Sequence, residues 1–218
     1  MRKFSLIKTA AAVFLFLIII ATAAILIILY TAPNQDQDLS AAPWQEHASE
    51  LRAGDLVLRL GTVTDSLVIA KVSHSAYSHI GMIIQTQPEI LVAHATTSDH
   101  DYDPDQASIT TLKDFWSRAL CRAGMAARID GLDERKLDGV ISRLIAYKGR
   151  PFVLAPRDQD HFYCSTMLYD AIRSEDPSFT LKWQNLSYPG FKGEYLFPQS
   201  FIGSPRVKRL FAFKNDTK

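Results

Sequence analysis

The chain has 218 residues, with 24 basic and 23 acidic side chains and a formal charge of +1. No long basic run is present, which argues against a nucleic-acid partner. Two cysteines, Cys121 and Cys164, are too few for a disulfide scaffold or a cysteine-based zinc site.

Arg2, Lys3 and Lys8 precede an uncharged stretch, residues 9–31, whose core runs from Ala10 to Tyr30. At ~1.5 Å per residue this core is ~31 Å long as a helix, about the thickness of a bilayer's hydrocarbon layer. It is too long for the apolar part of a secretory signal. The nearby basic residues all lie on its N-terminal side, so the positive-inside rule keeps residues 1–8 in the cytoplasm. The expectation is a single-pass bacterial inner-membrane protein with its folded domain in the periplasm. A cleaved signal peptide is the alternative. Residues 32–50 are polar and are read as a linker, with one domain over 51–214.

That domain begins with a turn at Leu51 to Asp55 and a strand over Leu56–Leu60. Ser66 to Val72 is a helix candidate. Ser78 to Gln85 and Ile90 to Ala95 are rich in β-formers and flank the turn-like Thr86-Gln87-Pro88-Glu89, which predicts a hairpin. If Gln85 pairs with Ile90, then Ile83 faces Val92 and Gly81 faces His94. His79 and His94 then share a face as diagonal neighbours ~7–8 Å apart. The glycine leaves an open patch between the two imidazoles. A one-residue slip would separate them to opposite faces.

Asp99 to Asp105 is an acidic loop. Its alternate aspartates resemble the start of a calcium loop, but Pro104 stands where glycine is required and Thr110 where glutamate is. It is read as a solvated loop that could present negative charge to a basic substrate group. Thr111 caps a helix carrying Leu112, Phe115, Trp116 and Ala119. Met125 to Ile129 is a strand. Asp133 caps a helix with Leu137, Val140, Ile141, Leu144 and Ile145 on its core face and Gly149 as its stop.

The segment from Asp160 to Ile172 holds the candidate nucleophile. Met167, Leu168, Ala171 and Ile172 recur at helical spacing, and Cys164 stands at the start on the same face. A thiol in the first turn of a helix meets the positive end of the macrodipole, which favours the reactive thiolate. The tail is read as mostly loop before a last strand over Arg206 to Phe213. Short, turn-linked strands with separate helices give an α+β domain, a mainly antiparallel sheet packed on helices.

Four motifs in order, GDLVLRLG from Gly54, YSHIGMII from Tyr77, GRPF from Gly149 and FYCSTMLYDA from Phe162, resemble the circularly permuted papain-like cysteine hydrolases of the YiiX type. These are relatives of NlpC-type cell-wall peptidases and lecithin–retinol acyltransferases. The resemblance implies Cys164 as nucleophile, His79 as general base and His94 as the group that orients the base. It also implies substrate contacts at Tyr163, Ser165, Tyr77 and Ser78. Relatives often carry glutamate two residues after the cysteine, where this chain has Thr166. No metal or other cofactor is expected.

The residue chemistry agrees with that assignment. A thiol needs a base within reach and the base needs a partner that fixes its tautomer, while the first backbone N–H groups of a helix can stabilise an oxyanion. His74 and His161 are alternative bases. The leading expectation is an amidase or peptidase acting on cell-wall peptides through an acyl-enzyme. Hydrolysis or transfer of an acyl group on a lipid or thioester uses the same residues. A non-catalytic binding module with a Cys121–Cys164 disulfide is the remaining alternative.

Overall fold

The structure is a computed structural model that describes residues 42–97 and 104–215. The apolar run, the first part of the linker and most of the acidic loop lie outside these residues. No helix among the described residues is long and apolar enough to cross a membrane.

Six strands form one antiparallel sheet in the order β4-β3-β2-β1-β5-β8. They are β1 (Leu56–Leu60), β2 (His79–Gln85), β3 (Leu91–Thr96), β4 (Gln106–Thr111), β5 (Ala123–Ile129) and β8 (Val207–Lys214). A separate hairpin pairs β6 (Gln184–Tyr188) with β7 (Phe191–Tyr195). The helices are α1 (Thr64–Val72), α2 (Leu112–Phe115), α3 (Glu134–Ala146), α4 (Cys164–Glu175) and α5 (Pro198–Ile202).

The central strand β1 is buried on both faces, and its alternation divides the core in two. Leu56 and Leu58 join Val140 and Leu144 of α3 and Met167, Leu168 and Ile172 of α4 on one face. Val57 meets Trp44, Phe115, Trp116 and Phe211 on the other. Asp133 caps α3 by accepting the Lys136 N–H at 2.9 Å. Ile145, expected on the core face of α3, is 49% exposed instead, and Val140 and Leu144 are the residues that the helix buries.

Thr111 caps α2 by accepting the Asp114 N–H at 3.1 Å. That helix is one turn long and does not extend to Ala119. Trp116 leaves it to sit buried against the sheet, its indole N–H donating to the Leu58 carbonyl at 3.0 Å. The folded unit begins at Ala42 rather than Leu51. Trp44 is 7% exposed and a 3-10 turn over Gln45–Glu50 follows it, so the second half of the expected linker is part of the second core.

The β2–β3 hairpin has the expected register where it matters. Met82 pairs with Ala93 and Ile83 with Val92. Beyond Ile83 the register shifts, so Gln85 pairs with Leu91 and not with Ile90. The bulge lies at the turn end and leaves the histidine end in phase.

Candidate active site

The site lies where β1 ends and β2 begins. Arg59 is the register partner of His79 across these strands, and both side chains fall on the Phe115 face of the sheet. The imidazoles of His79 and His94 meet edge to face, with His79 Nε2 2.9 Å from His94 Nδ1. His94 Nε2 lies 3.2 Å from Thr110 Oγ1 on β4. Phe115 packs against both imidazoles, and the Arg59 guanidinium stands 4.7 Å above its ring and donates to its carbonyl at 3.1 Å.

Gly81 is the residue that permits this. A Cβ there would stand 2.6 Å from Val92 Cγ1, 3.1 Å from the Ala93 carbonyl and 3.3 Å from His94 Cβ. The glycine therefore draws β3 close to β2, and the open patch expected between the imidazoles is filled by that approach.

Cys164 is the first residue of α4, which packs on the opposite face of the sheet. Its preceding turn is locked by Thr166, whose hydroxyl accepts the Tyr163 N–H at 2.9 Å. Cys164 and His79 line one cavity of about 300 Å³, together with Arg59, Ser78, Tyr163 and Ser165. Among the described residues, the thiol's partners are Ser165 Oγ at 3.8 Å and the backbone N–H groups of Ser165 and Ile80. The Sγ thus stands beside the backbone of the residue that follows His79. The imidazole's Nε2 is engaged by His94, and the two groups share the cavity without a hydrogen bond joining the imidazole to the thiol. Bonds between nucleophile and base commonly tighten only when substrate is bound.

The four substrate-contact candidates separate. Ser165 is fully buried beside the thiol. Tyr163 lines the cavity, but its hydroxyl accepts the Leu196 N–H at 2.9 Å and so pins the chain that follows β7. Ser78 lines it too, and its hydroxyl accepts the Gly61 N–H at 3.0 Å. Tyr77 is buried in the core with Leu58 and Ile80 and is not among the cavity's lining residues. His74 lines a different hollow, and His161 binds the Gln159 carbonyl and packs on Trp183, so neither stands as the base.

Sequence reasoning missed Arg59, Thr110 and most of the cavity wall. Arg59 carried a signal, since it is the one charge in the apolar strand LVLRL and is 4% exposed. The wall is apolar and comes from segments read as loop or left unassigned, among them Val63, Phe152, Leu154, Phe191, Leu196 and Phe197.

Electrostatics make the resting pair neutral. Burial, then the Arg59 charge and His94, push the His79 imidazolium well below the ordinary histidine range. Burial raises the Cys164 thiol above its usual value, against the lowering by the Ser165 hydroxyl, the Ile80 and Ser165 N–H groups and Arg59. The expected resting thiolate is thereby corrected, because desolvation outweighs the helix end. Cys121 is fully buried in the other core, its thiol pushed up to about 12. The two cysteines are free and belong to cores on opposite faces of the sheet, contrary to the disulfide alternative.

A pH effect follows from His79. Its folded pKa is depressed, so below about 6.5 the unfolded chain takes up a proton that the folded chain refuses. Stability should fall as pH drops below that value, by up to ~1.4 kcal/mol per pH unit. Urea midpoints of the full chain in detergent micelles at pH 7 and pH 5 measure this, and His79→Gln should flatten the difference.

No family model and no curated protein matches the chain. Among solved structures, it is similar to the metalloprotein YiiX from Escherichia coli O157:H7 (DUF1105), with a TM-score of 0.62 at 18% identity over 75% of this chain and 98% of that one. The fold is YiiX-like. The match bears on the architecture alone. A catalytic metal takes three protein ligands as a rule, and among the described residues no three His, Cys, Asp or Glu side chains come together to hold one. His79 and His94 turn their facing nitrogens on each other.

Proposed function

We propose that this YiiX-like domain is a permuted papain-like cysteine hydrolase, held at the periplasmic face of the inner membrane by residues 9–31, that cleaves an amide in a cell-wall peptide. The observation that carries the reading is the shared cavity of Cys164 and His79, with His79 bonded through Nε2 to the buried His94. The thiol proton passes to His79 as Sγ attacks the carbonyl carbon. The first-turn N–H groups of α4 face the developing oxyanion. The imidazolium returns its proton to the leaving amine as the C–N bond breaks, and water, deprotonated by His79, releases the acyl group from Sγ. Because both partners rest neutral, proton transfer accompanies attack rather than preceding it.

A second reading is favoured by the cavity wall. Val63 and Val68, 60% and 42% exposed, rim a pocket lined mainly by apolar side chains. An apolar acyl group on a lipid or thioester suits that wall better than a polar peptide, and the same two residues would perform the chemistry. Turnover of a muramyl peptide against a medium-chain thioester separates the two.

The test of either reading is selective thiol labelling. Iodoacetamide at pH 8 should modify Cys164 at least about ten times faster than Cys121, since the latter is fully buried and protonated. Equal labelling would count against the enzyme reading. Labelling of Cys164 only after reductant would count against it as well.

A further inference from the structure

We propose that the outer face of α1 docks on the surface of a lipid bilayer and seats the mouth of the Cys164 cavity there. The inference rests on one part of the reading above, that residues 9–31 hold the chain in a membrane. It does not depend on the chemistry assigned to Cys164 and His79.

α1 is apolar on both sides. Ile69 and Val72 pack inward on Leu186, Tyr195 and Phe197, at the β6–β7 hairpin and just after it. Val63, the residue before the helix, and Leu67 and Val68 within it are exposed, and the helix has no fully buried residue. At ~3.6 residues per turn, Val63, Thr64, Leu67, Val68 and Lys71 share the outer side. Asp65, the acid of the first turn, falls on the flank away from Leu67. A helix facing water carries polar and charged residues on its free side. This one carries three aliphatic side chains and a lysine. Apolar surface of that kind, edged by charge, marks a contact with a protein or a membrane.

Two observations choose the bilayer. The first is place. Val63 and Val68 also line the cavity of Cys164, as does the exposed Leu154. Lining residues this exposed stand at its opening, so the apolar face runs on into the apolar wall. A protein fitted on α1 would cover that opening and shut substrate out. A fluid lipid surface covers the face and itself supplies molecules to the opening. The second is reach. Residues 32–41 separate the apolar run from Ala42, where the folded unit begins, and a chain of that length spans at most about 36 Å. A bilayer holding the run is therefore within reach of the domain at high effective concentration. Lys71 suits the same partner, since a lysine can lay its stem along apolar surface and offer its ammonium to lipid phosphate.

The experiment is tryptophan quenching on the full chain, reconstituted in phosphatidylcholine vesicles whose lipids carry bromine in the upper acyl chain. Flotation of the chain with the vesicles tests the anchor by itself. Leu67 is 36% exposed and is not among the cavity's lining residues, so Leu67→Trp reports on the face and leaves the site intact. Ile145→Trp, at the exposed apolar position on α3, is the control. Slow labelling of the buried Cys121 by iodoacetamide certifies the fold of each variant. After subtraction of the three native tryptophans, the bromines should quench Leu67→Trp by about half and Ile145→Trp by less than about a tenth, as for a helix face ~5–10 Å into the headgroup boundary. Adding Val68→Glu to Leu67→Trp should remove most of the quenching. A chain that floats while Leu67→Trp is quenched no more than Ile145→Trp would overturn the inference and leave the anchor standing. Quenching that survives Val68→Glu would overturn it too. So would blue-shifted emission from Leu67→Trp without quenching, which would mean that protein covers the face. A chain left behind by the floated vesicles would overturn the docking and the anchor together.

Discussion

Replacing His79 by alanine should lower the rate of acyl transfer to Cys164 by about 10²–10⁴-fold at neutral pH, the range that a positioned general base supplies. The size follows from the resting state of the thiol. Were Cys164 already a thiolate, losing the base would cost little in the attack step. Burial instead raises its pKa, so little of it is ionised near pH 7, and the proton must leave during attack. The gap between His79→Ala and wild type should therefore narrow as pH rises toward the thiol's own pKa, where hydroxide does the work of the imidazole. A gap that does not depend on pH would mean that His79 acts by shape and not as a base. Acylation by an activated ester, followed from pH 6 to pH 10, makes the comparison.

Gly81→Ala should be nearly as damaging although it removes no chemical group. The added methyl has nowhere to go, with Val92 Cγ1 at 2.6 Å and the Ala93 carbonyl at 3.1 Å. Either β3 retreats from β2 or Val92 is forced off its rotamer. Retreat stretches the 2.9 Å bond that orients His79. A displacement approaching 1 Å at a catalytic group costs about 10²-fold, and overpacking the hairpin costs about 1–3 kcal/mol. The closest obstacle is a side chain, so Val92→Ala in the same chain should recover much of the rate, although it opens a gap in the second core and leaves stability low. Full activity in Gly81→Ala alone would show that the approach of β3 does not matter.

The hairpin that carries the histidines was legible because its pattern is redundant. Two β-rich runs, a turn between them and in-phase apolar residues all fix one register, and the later bulge falls on the turn side of Ile83. The helix starts at Asp133 and Cys164 were legible for a similar reason, since caps and apolar spacing agree. β4 was not, because QASITT is an edge strand with Ala107 as its one buried residue, and its polar alternation follows an acidic loop. The β6–β7 hairpin was missed although Pro189-Gly190 between Tyr188 and Phe191 marks a tight turn, with Gly190 at a φ of +83°. Its strands are too polar to declare a buried face, and they become strands by packing on Ile69 and Val72 of α1.

For the site, residue type and order pointed to Cys164, His79 and His94. What they could not convey was the electrostatic balance. A helix start argues for a thiolate, but only the folded surroundings reveal that Cys164 is 7% exposed and that desolvation prevails. Nor could spacing reveal that Thr110 meets His94, a contact that depends on β4 lying beside β3, with Val92 opposite Thr110 in the ladder.

In the proposed reaction Cys164 forms a covalent acyl intermediate with the help of His79. Intact-mass and peptide-map measurement of the full chain, quenched within seconds of mixing with an activated acyl ester at pH 7, tests it most directly. The predicted result is one acyl group per chain, located on Cys164, absent from Cys164→Ser at the same time point and greatly delayed in His79→Ala. An acyl group found on Cys121 or on a lysine, or acylation of Cys164 at the same rate with and without His79, would contradict it.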